Sequence, residues 1–344
     1  MLVLLLLLAC SDPSPKASDT AAPEVDPLSW SVDAAGPFAV GHREWDVSYE
    51  PMPGEARTFR VHAWYPTDAT TGEPVRYDGF VDGDPAVLGE SPLAPTAHAD
   101  GHPVLAYSHG DQGWGATSEF LMIHAASHGW VAVAPSHTGN LLWANTDPVG
   151  HWYHRPLDIR AAVDALPAEL PGVDTSRFVI SGHSRGVTTV WTVAGASFDG
   201  DVSGWCDGCT PDQQALFTDL ADPRAVGGIG LAGSIRRSMF GDEGHASVGV
   251  PFLSLAGSAD PVGQEEQFNT TAGVDLTWVE LEGGCHQTFA LGTCSTLPTD
   301  DGWSITATYA FAFARHHLLG DASVVPILDG SEVVDSRAAL KHHN

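Results

Sequence analysis

Seven short apolar runs recur along the chain, and segments of helical period lie between several of them. The runs are 57–66 (RTFRVHAWYP), 103–110 (PVLAYSHG), 130–137 (WVAVAPSH), 177–184 (RFVISGHS), 226–233 (VGGIGLAG), 251–258 (PFLSLAGS) and 276–284 (LTWVELEGG). Several are nearly continuous in apolar residues, as strands are when both faces of a parallel sheet are covered. Between them, 155–169 places Ile159, Val163 and Leu166 on one helical face. Residues 116–128, 185–197 and 303–319 also read as helices. This alternation predicts an α/β fold, a doubly wound and mostly parallel sheet with helices on both faces. A ligand site in such a fold lies at the carboxyl ends of the strands. One stretch breaks the rhythm: 198–224 is long, rich in Gly and Asp, and is expected to be an insertion or lid.

The chain has 344 residues and 43% hydrophobic content, enough for a large core. Its formal charge is −28, and Lys16 and Lys341 are its only lysines. Such a surface repels phosphate backbones and anionic lipid, which argues against nucleic acid as a partner. The first residues, MLVLLLLLAC, are too few to span a bilayer but fit the apolar core of an export signal. Leu7-Leu8-Ala9-Cys10 resembles a bacterial lipobox. The expectation is a signal over 1–9, a lipidated Cys10 with a flexible tether over 10–28, a domain over 29–325 and a tail over 326–344. Membrane contact is then through the lipid alone, on the bacterial cell envelope. Export makes the remaining cysteines candidates for disulfides, and the local pairing Cys206–Cys209 with Cys285–Cys294 is favoured. A bond between Cys285 and Cys294 would brace the loop that carries His286. Cys206-x-x-Cys209 also has zinc-ligand spacing, but Cys285 and Cys294 are poorly spaced as the second pair.

The run ending at 184 carries the strongest chemical signal. Gly182-His183-Ser184-Arg185-Gly186 fits G-x-S-x-G, with a strand before it and a helix after it. A nucleophile must project from a tight turn there, and side chains at Gly182 and Gly186 would meet neighbouring backbone. A serine needs a base and the base an orienting acid, in the chain order Ser, Asp or Glu, His for this fold. Asp260 follows the run 251–258, and His286 follows the run 276–284. His316 and His317 lie inside a helix pattern, and Asp242 is the alternative acid. The oxyanion needs two amide donors. Arg185 supplies one, and Asp111, in the loop after 103–110, supplies the other. A carboxylate at Asp111 would oppose the developing charge unless it pairs with a cation, and Arg185 is a candidate. His124 and His128 lack the glutamate of H-E-x-x-H and read as helix surface or helix end, so no metal and no cofactor is expected. Trp114, Trp143, Trp152 and Tyr153 are candidates to line an acyl or aromatic pocket. Oligomeric state is not legible in the sequence.

Over roughly residues 40–320 the chain resembles α/β-hydrolases, in particular the serine esterase branch grouped with predicted dienelactone hydrolases and platelet-activating-factor acetylhydrolases. The matching stretches are VHAWYPT, PVLAYSHGDQG, SHGWVAVAPSHTGN, RPLDIRAAVDAL, FVISGHSRG, LSLAGSADPV and LEGGCHQTF. The resemblance implies a serine carboxylesterase with Ser184 as nucleophile, His286 as base, Asp260 as acid, and Asp111 and Arg185 as amide donors. It implies a small-molecule or lipid ester as substrate; phospholipid acylhydrolase and polyester hydrolase are alternatives on the same triad, and a catalytically silent binding lipoprotein is the non-enzymatic one. Three departures matter. Dienelactone hydrolase itself uses cysteine where this chain has Ser184. The acetylhydrolases take their acid after an earlier strand, where this chain reads LAGSIRR. Polyester hydrolases usually carry Trp or Tyr before the serine, and here it is His183.

Overall fold

A computed structural model describes residues 26–147, 150–199, 206, 208–234 and 237–343. The expected signal, Cys10 and most of the tether lie outside the described residues, as does part of the 198–224 segment. The chain opens with a long hairpin, β1 (Ala39–Met52) and β2 (Glu55–Thr67). A short ribbon, β3 (Arg76–Tyr77) with β4 (Val81–Asp82), and β5 (Val87–Gly89) follow. Strand–helix alternation then begins: β6 (His102–Ser108), α1 (Glu119–Ser127), β7 (Val131–Ser136), a ribbon of β8 (Asn140–Leu141) and β9 (Ala144–Asn145), α2 (His151–Glu169), β10 (Val173–His183) and α3 (Arg185–Val193). It continues through α4 (Pro211–Leu216), β11 (Ala225–Leu231), α5 (Arg237–Gly244), β12 (Phe252–Gly257), α6 (Gln264–Thr270), β13 (Leu276–Leu281), α7 (Thr299–Leu319), α8 (Val325–Leu328) and β14 (Ala338–His343). The main sheet runs in the order β14-β13-β12-β11-β10-β6-β7-β2-β1-β5. Neighbours from β13 to β7 pair in parallel, and β2 and β14 flank that block antiparallel.

The apolar runs become strands because each feeds two cores. In β6, Leu105 and Tyr107 face the core under α1 and α7, while Val104 and Ala106 face the core under α2 and α3. In β10, Val179 goes to the first core and Phe178 and Ile180 to the second. Two-sided burial removes the polar alternation of a half-exposed strand. The helix expected over 155–169 is α2, which starts four residues earlier and buries Ile159, Val163 and Leu166.

Three expectations change. Within 326–344, read as a tail, Ala338–His343 forms an edge strand on β13. Its sequence AALKHH carries no apolar run because the strand is only half-buried or exposed along its length. The described part of 198–224 is packed down: Cys206, Phe217 and Leu220 form a small core with Tyr153 of α2. Tyr153 therefore fills a satellite core rather than a pocket. His128 takes the helix-end placement of the two expected for it, and it is buried there. It is 2% exposed at the end of α1, and its ring lies 4.6 Å from that of Phe311 in α7.

Candidate active site

The parallel strands β10, β12 and β13 end on one side of the sheet, and three candidate side chains leave from those ends. Ser184 stands between β10 and α3 with φ 54° and ψ −116°, a conformation that few non-glycine residues adopt. The flanking glycines have steric reasons. A Cβ on Gly182 would lie 2.6 Å from the Gly186 carbonyl oxygen, and one on Gly186 would overlap the Ser108 carbonyl oxygen. Asp260 follows β12 in a turn closed by its own amide on Gly257 O at 3.0 Å. His286 begins a short 3-10 turn after β13.

These three side chains meet although 102 positions separate Ser184 from His286 and 26 separate His286 from Asp260. His286 Nε2 lies 2.9 Å from Ser184 Oγ, and His286 Nδ1 lies 2.9 Å from Asp260 Oδ2. The Asp260 side chain is fully buried, while that of His286 is 31% exposed. A buried carboxylate beside a partly open imidazole can hold one tautomer of the ring and stabilise its charged form. Asp242, the alternative acid, falls within α5, and its side chain lies outside what the structure describes.

His183 has a definite contact. It is 4% exposed, and its Nε2 donates to the His286 carbonyl oxygen at 2.9 Å. Burial, then the neighbouring His286 ring, pushes its pKa down to about 4. A neutral ring thus braces the turn that carries His286 without adding charge beside it.

The loop after β6 packs against the elbow. A Cβ on Gly110 would lie 3.4 Å from that of Ser184. Asp111 Oδ1 sits 2.8 Å from Arg185 Nε and accepts from Asn140 Nδ2 at 2.9 Å. Burial works against the charge on Asp111, yet Asn140 and the Arg185 guanidinium together hold its pKa below the ordinary value. The carboxylate is therefore paired with a cation. Arg185 is itself held by His151 Nε2 at 2.9 Å and lies over the Trp152 ring at 4.8 Å. As the first residue of α3, Arg185 has an amide with no acceptor inside the helix.

Sequence reasoning missed the group beneath this loop. Arg155 of α2 is 1% exposed and donates to His109 O at 2.5 Å, to Gly110 O at 3.0 Å and to Asn140 Oδ1. A trans peptide points its C=O and N–H in opposite directions. Tying the Gly110 carbonyl to Arg155 therefore turns the Asp111 N–H away from Arg155. Below lies a fully buried relay: Ser108 Oγ to His137 Nε2 at 3.0 Å, and His137 Nδ1 to Asp158 Oδ2 at 2.9 Å. Asp158 Oδ2 also accepts from Arg57 Nη2 at 2.7 Å. This second Ser–His–Asp chain is sealed from solvent and so is structural. A signal for it existed. Arg155 is four residues before Ile159, and Asp158 four before Ala162, so both charges fall on the buried face of an amphipathic helix.

On the expectation that the Asp111 amide is an oxyanion donor, Arg155→Lys should lower kcat by roughly 10²-fold, the lower range for one lost donor, with little change in KM. Lysine keeps the charge but cannot bridge two carbonyls and Asn140. Steady-state kinetics beside thermal melts check this. A fall in stability with kcat unchanged would remove the positioning role.

Trp114 and Trp143 face each other with ring centroids 6.1 Å apart, and Phe80 meets Trp143 at 5.3 Å. Trp114 lies just beyond Asp111, and Trp143 tips the β8–β9 ribbon whose Asn140 holds Asp111. Phe80, Leu142 and Trp143 are each more than 45% exposed. Cys206 and Cys209 have Cα atoms 5.5 Å apart, and Cys285 and Cys294 5.9 Å apart. Both pairs are at disulfide distance.

No family model and no curated protein matches the chain. Among solved structures, a ferulic acid esterase from Streptomyces cinnamoneus superposes with a TM-score of 0.65 and 19% identity, over 91% of this chain and 99% of that one. The chain has the α/β-hydrolase fold. Within that fold, Ser184 occupies the strand-to-helix elbow, and Asp260 and His286 occupy later strand ends in the expected order. No described helix is long and apolar enough to cross a membrane.

Proposed function

We propose that the protein is a serine carboxylic-ester hydrolase. Ser184 Oγ attacks the ester carbonyl while His286 Nε2 takes its proton, and Asp260 stabilises the imidazolium that results. The amides of Asp111 and Arg185 hold the oxyanion. His286 then returns the proton to the leaving alcohol, and water, activated by the same ring, releases the acid from Ser184. The observation that carries this reading is the unbroken chain from Ser184 through His286 to Asp260, each step 2.9 Å, seated on a strained elbow. The esterase neighbour and the resemblance to the dienelactone hydrolase and acetylhydrolase branch support it.

The exposed Phe80, Leu142 and Trp143, with Trp114 behind them, favour esters with a bulky apolar or aromatic acid over acetyl esters. The same exposed side chains favour phospholipid or polyester as the second reading, since they would meet an apolar surface. Initial rates on feruloyl and p-nitrophenyl esters, phospholipid and polyester film separate these. Export belongs to the reading, supported by the two cysteine pairs, and lipid attachment at Cys10 by its sequence context.

A fluorophosphonate probe tests the enzyme itself. Wild-type protein is expected to take up one label, and Ser184→Ala none. Folded wild-type protein that stays unlabelled would return the chain to a silent binding protein.

A further inference from the structure

His42 and Glu44 are two residues apart on β1, so they project from one face of that strand. The register with β2 sets His62 opposite Glu44 and Trp64 opposite His42. One ligand atom from each of His42, Glu44 and His62 therefore falls within 4.8 Å of the others. The two histidines are buried, His62 at 0% and His42 at 3% exposed, and the Glu44 side chain is 14% exposed. Among the described residues, His42 Nε2 has no hydrogen-bond partner. His62 Nδ1 lies 3.3 Å from Glu44 Oε1. Buried polar atoms are almost always partnered, so an orphaned imidazole nitrogen beside a histidine–carboxylate pair calls for a further partner.

We propose that His42 Nε2, His62 Nδ1 and Glu44 Oε1 bind a divalent transition-metal ion of the zinc class. Two imidazoles and a carboxylate are a borderline ligand set that suits zinc, whereas calcium and magnesium take oxygen alone. The surroundings hold the ligands in place. His62 Nε2 meets Ser136 Oγ at 2.9 Å, which leaves Nδ1 as the nitrogen that faces Glu44. Glu44 Oε2 is gripped by Arg60 Nη1 at 2.9 Å, and Oε1 accepts the Asp78 amide at 2.8 Å. Outer contacts of this kind fix the orientation of metal ligands. Asp78 Oδ2 lies 3.7 Å from His62 Nε2 on the far edge of the ring.

The ion's role is structural. Asp78 belongs to the β3–β4 turn that carries Phe80, and Ser136 Oγ also accepts the Gly115 amide at 3.0 Å, beside Trp114. Metal on β1 and β2 thus ties down both supports of the aromatic wall. The rival arrangement is a plain histidine–carboxylate pair between His62 and Glu44. That pair leaves His42 Nε2 without a partner, so His42 separates the two.

The test uses the full chain, purified without a histidine tag, stripped with chelator and titrated with zinc chloride. Wild-type protein is expected to retain one zinc per chain through gel filtration by elemental analysis, with its Tm raised by several degrees. His42→Phe, which keeps the ring packing against Trp64 and Tyr77, and Glu44→Gln are each expected to cut retained zinc at least tenfold. His342→Gln, on the edge strand, is expected to retain it. Wild-type protein that retains no zinc would overturn the site, as would equal retention by His42→Phe. Should His42→Phe fail to fold, Glu44→Gln decides by the same measure. No substrate is needed, so the result stands apart from the activity of Ser184.

Discussion

Asp260→Asn is expected to lower kcat about 10⁴-fold while leaving the fold and KM nearly unchanged. The reason is the tautomer. Asp260 Oδ2 accepts from His286 Nδ1 at 2.9 Å, and its other oxygen is fixed by the Val262 amide at 3.2 Å. Asparagine keeps its oxygen on the Val262 amide and turns its NH₂ toward Nδ1. The ring then carries its proton on Nε2, facing Ser184, and cannot take another from the hydroxyl. The packing is isosteric, so the melting temperature should hold. Asp242→Asn is the matched control and is expected to leave kcat within about threefold, as for a substitution outside the reacting groups. Steady-state kinetics on one ester with both variants check this. A reversed ranking would move the acid to Asp242.

Acidification is expected to destabilise the fold strongly well before carboxylates titrate. Burial pushes His124 and His137 down to about 3, and His151 and His183 down to about 4. The sign follows from linkage. In the unfolded chain these rings take up protons as pH falls through about 6.5. In the folded protein they stay neutral until pH 3 to 4. Protons then favour the unfolded state, and stability falls as pH falls between those limits. Each ring that remains neutral contributes a slope of about 1.4 kcal/mol per pH unit. Lowering pH also relieves repulsion in a chain of charge −28, but that relief comes from carboxylates, mostly below pH 5. The window from pH 7 to 5 isolates the histidines. Urea midpoints followed by circular dichroism should fall steadily across it, and a flat profile there would mean the rings are not held neutral.

The buried histidines also explain part of what the sequence conceals. The chain has 17 histidines, and composition alone gives no reason to separate His183 from His286. His183 braces a backbone carbonyl, His137 joins a sealed relay, and His286 faces Ser184. The difference is made by which strand ends lie side by side.

Local pattern is enough to determine the alternation of strands and helices, the elbow at Gly182–Gly186 and the chain order of Ser184, Asp260 and His286. Each rests on residues within one turn or one strand, where apolar period and backbone crowding act directly. The sequence offered Arg185 as a partner for Asp111, and the structure makes the pair. Tertiary structure alone decided the grip of Arg155 on the Gly110 carbonyl and the meeting of His42, Glu44 and His62. It also turned AALKHH into an edge strand. These depend on strand register and on crossovers that join residues tens of positions apart. A hydrophobic period shows that a strand is buried, and carries no record of which strand lies next to it or in what register.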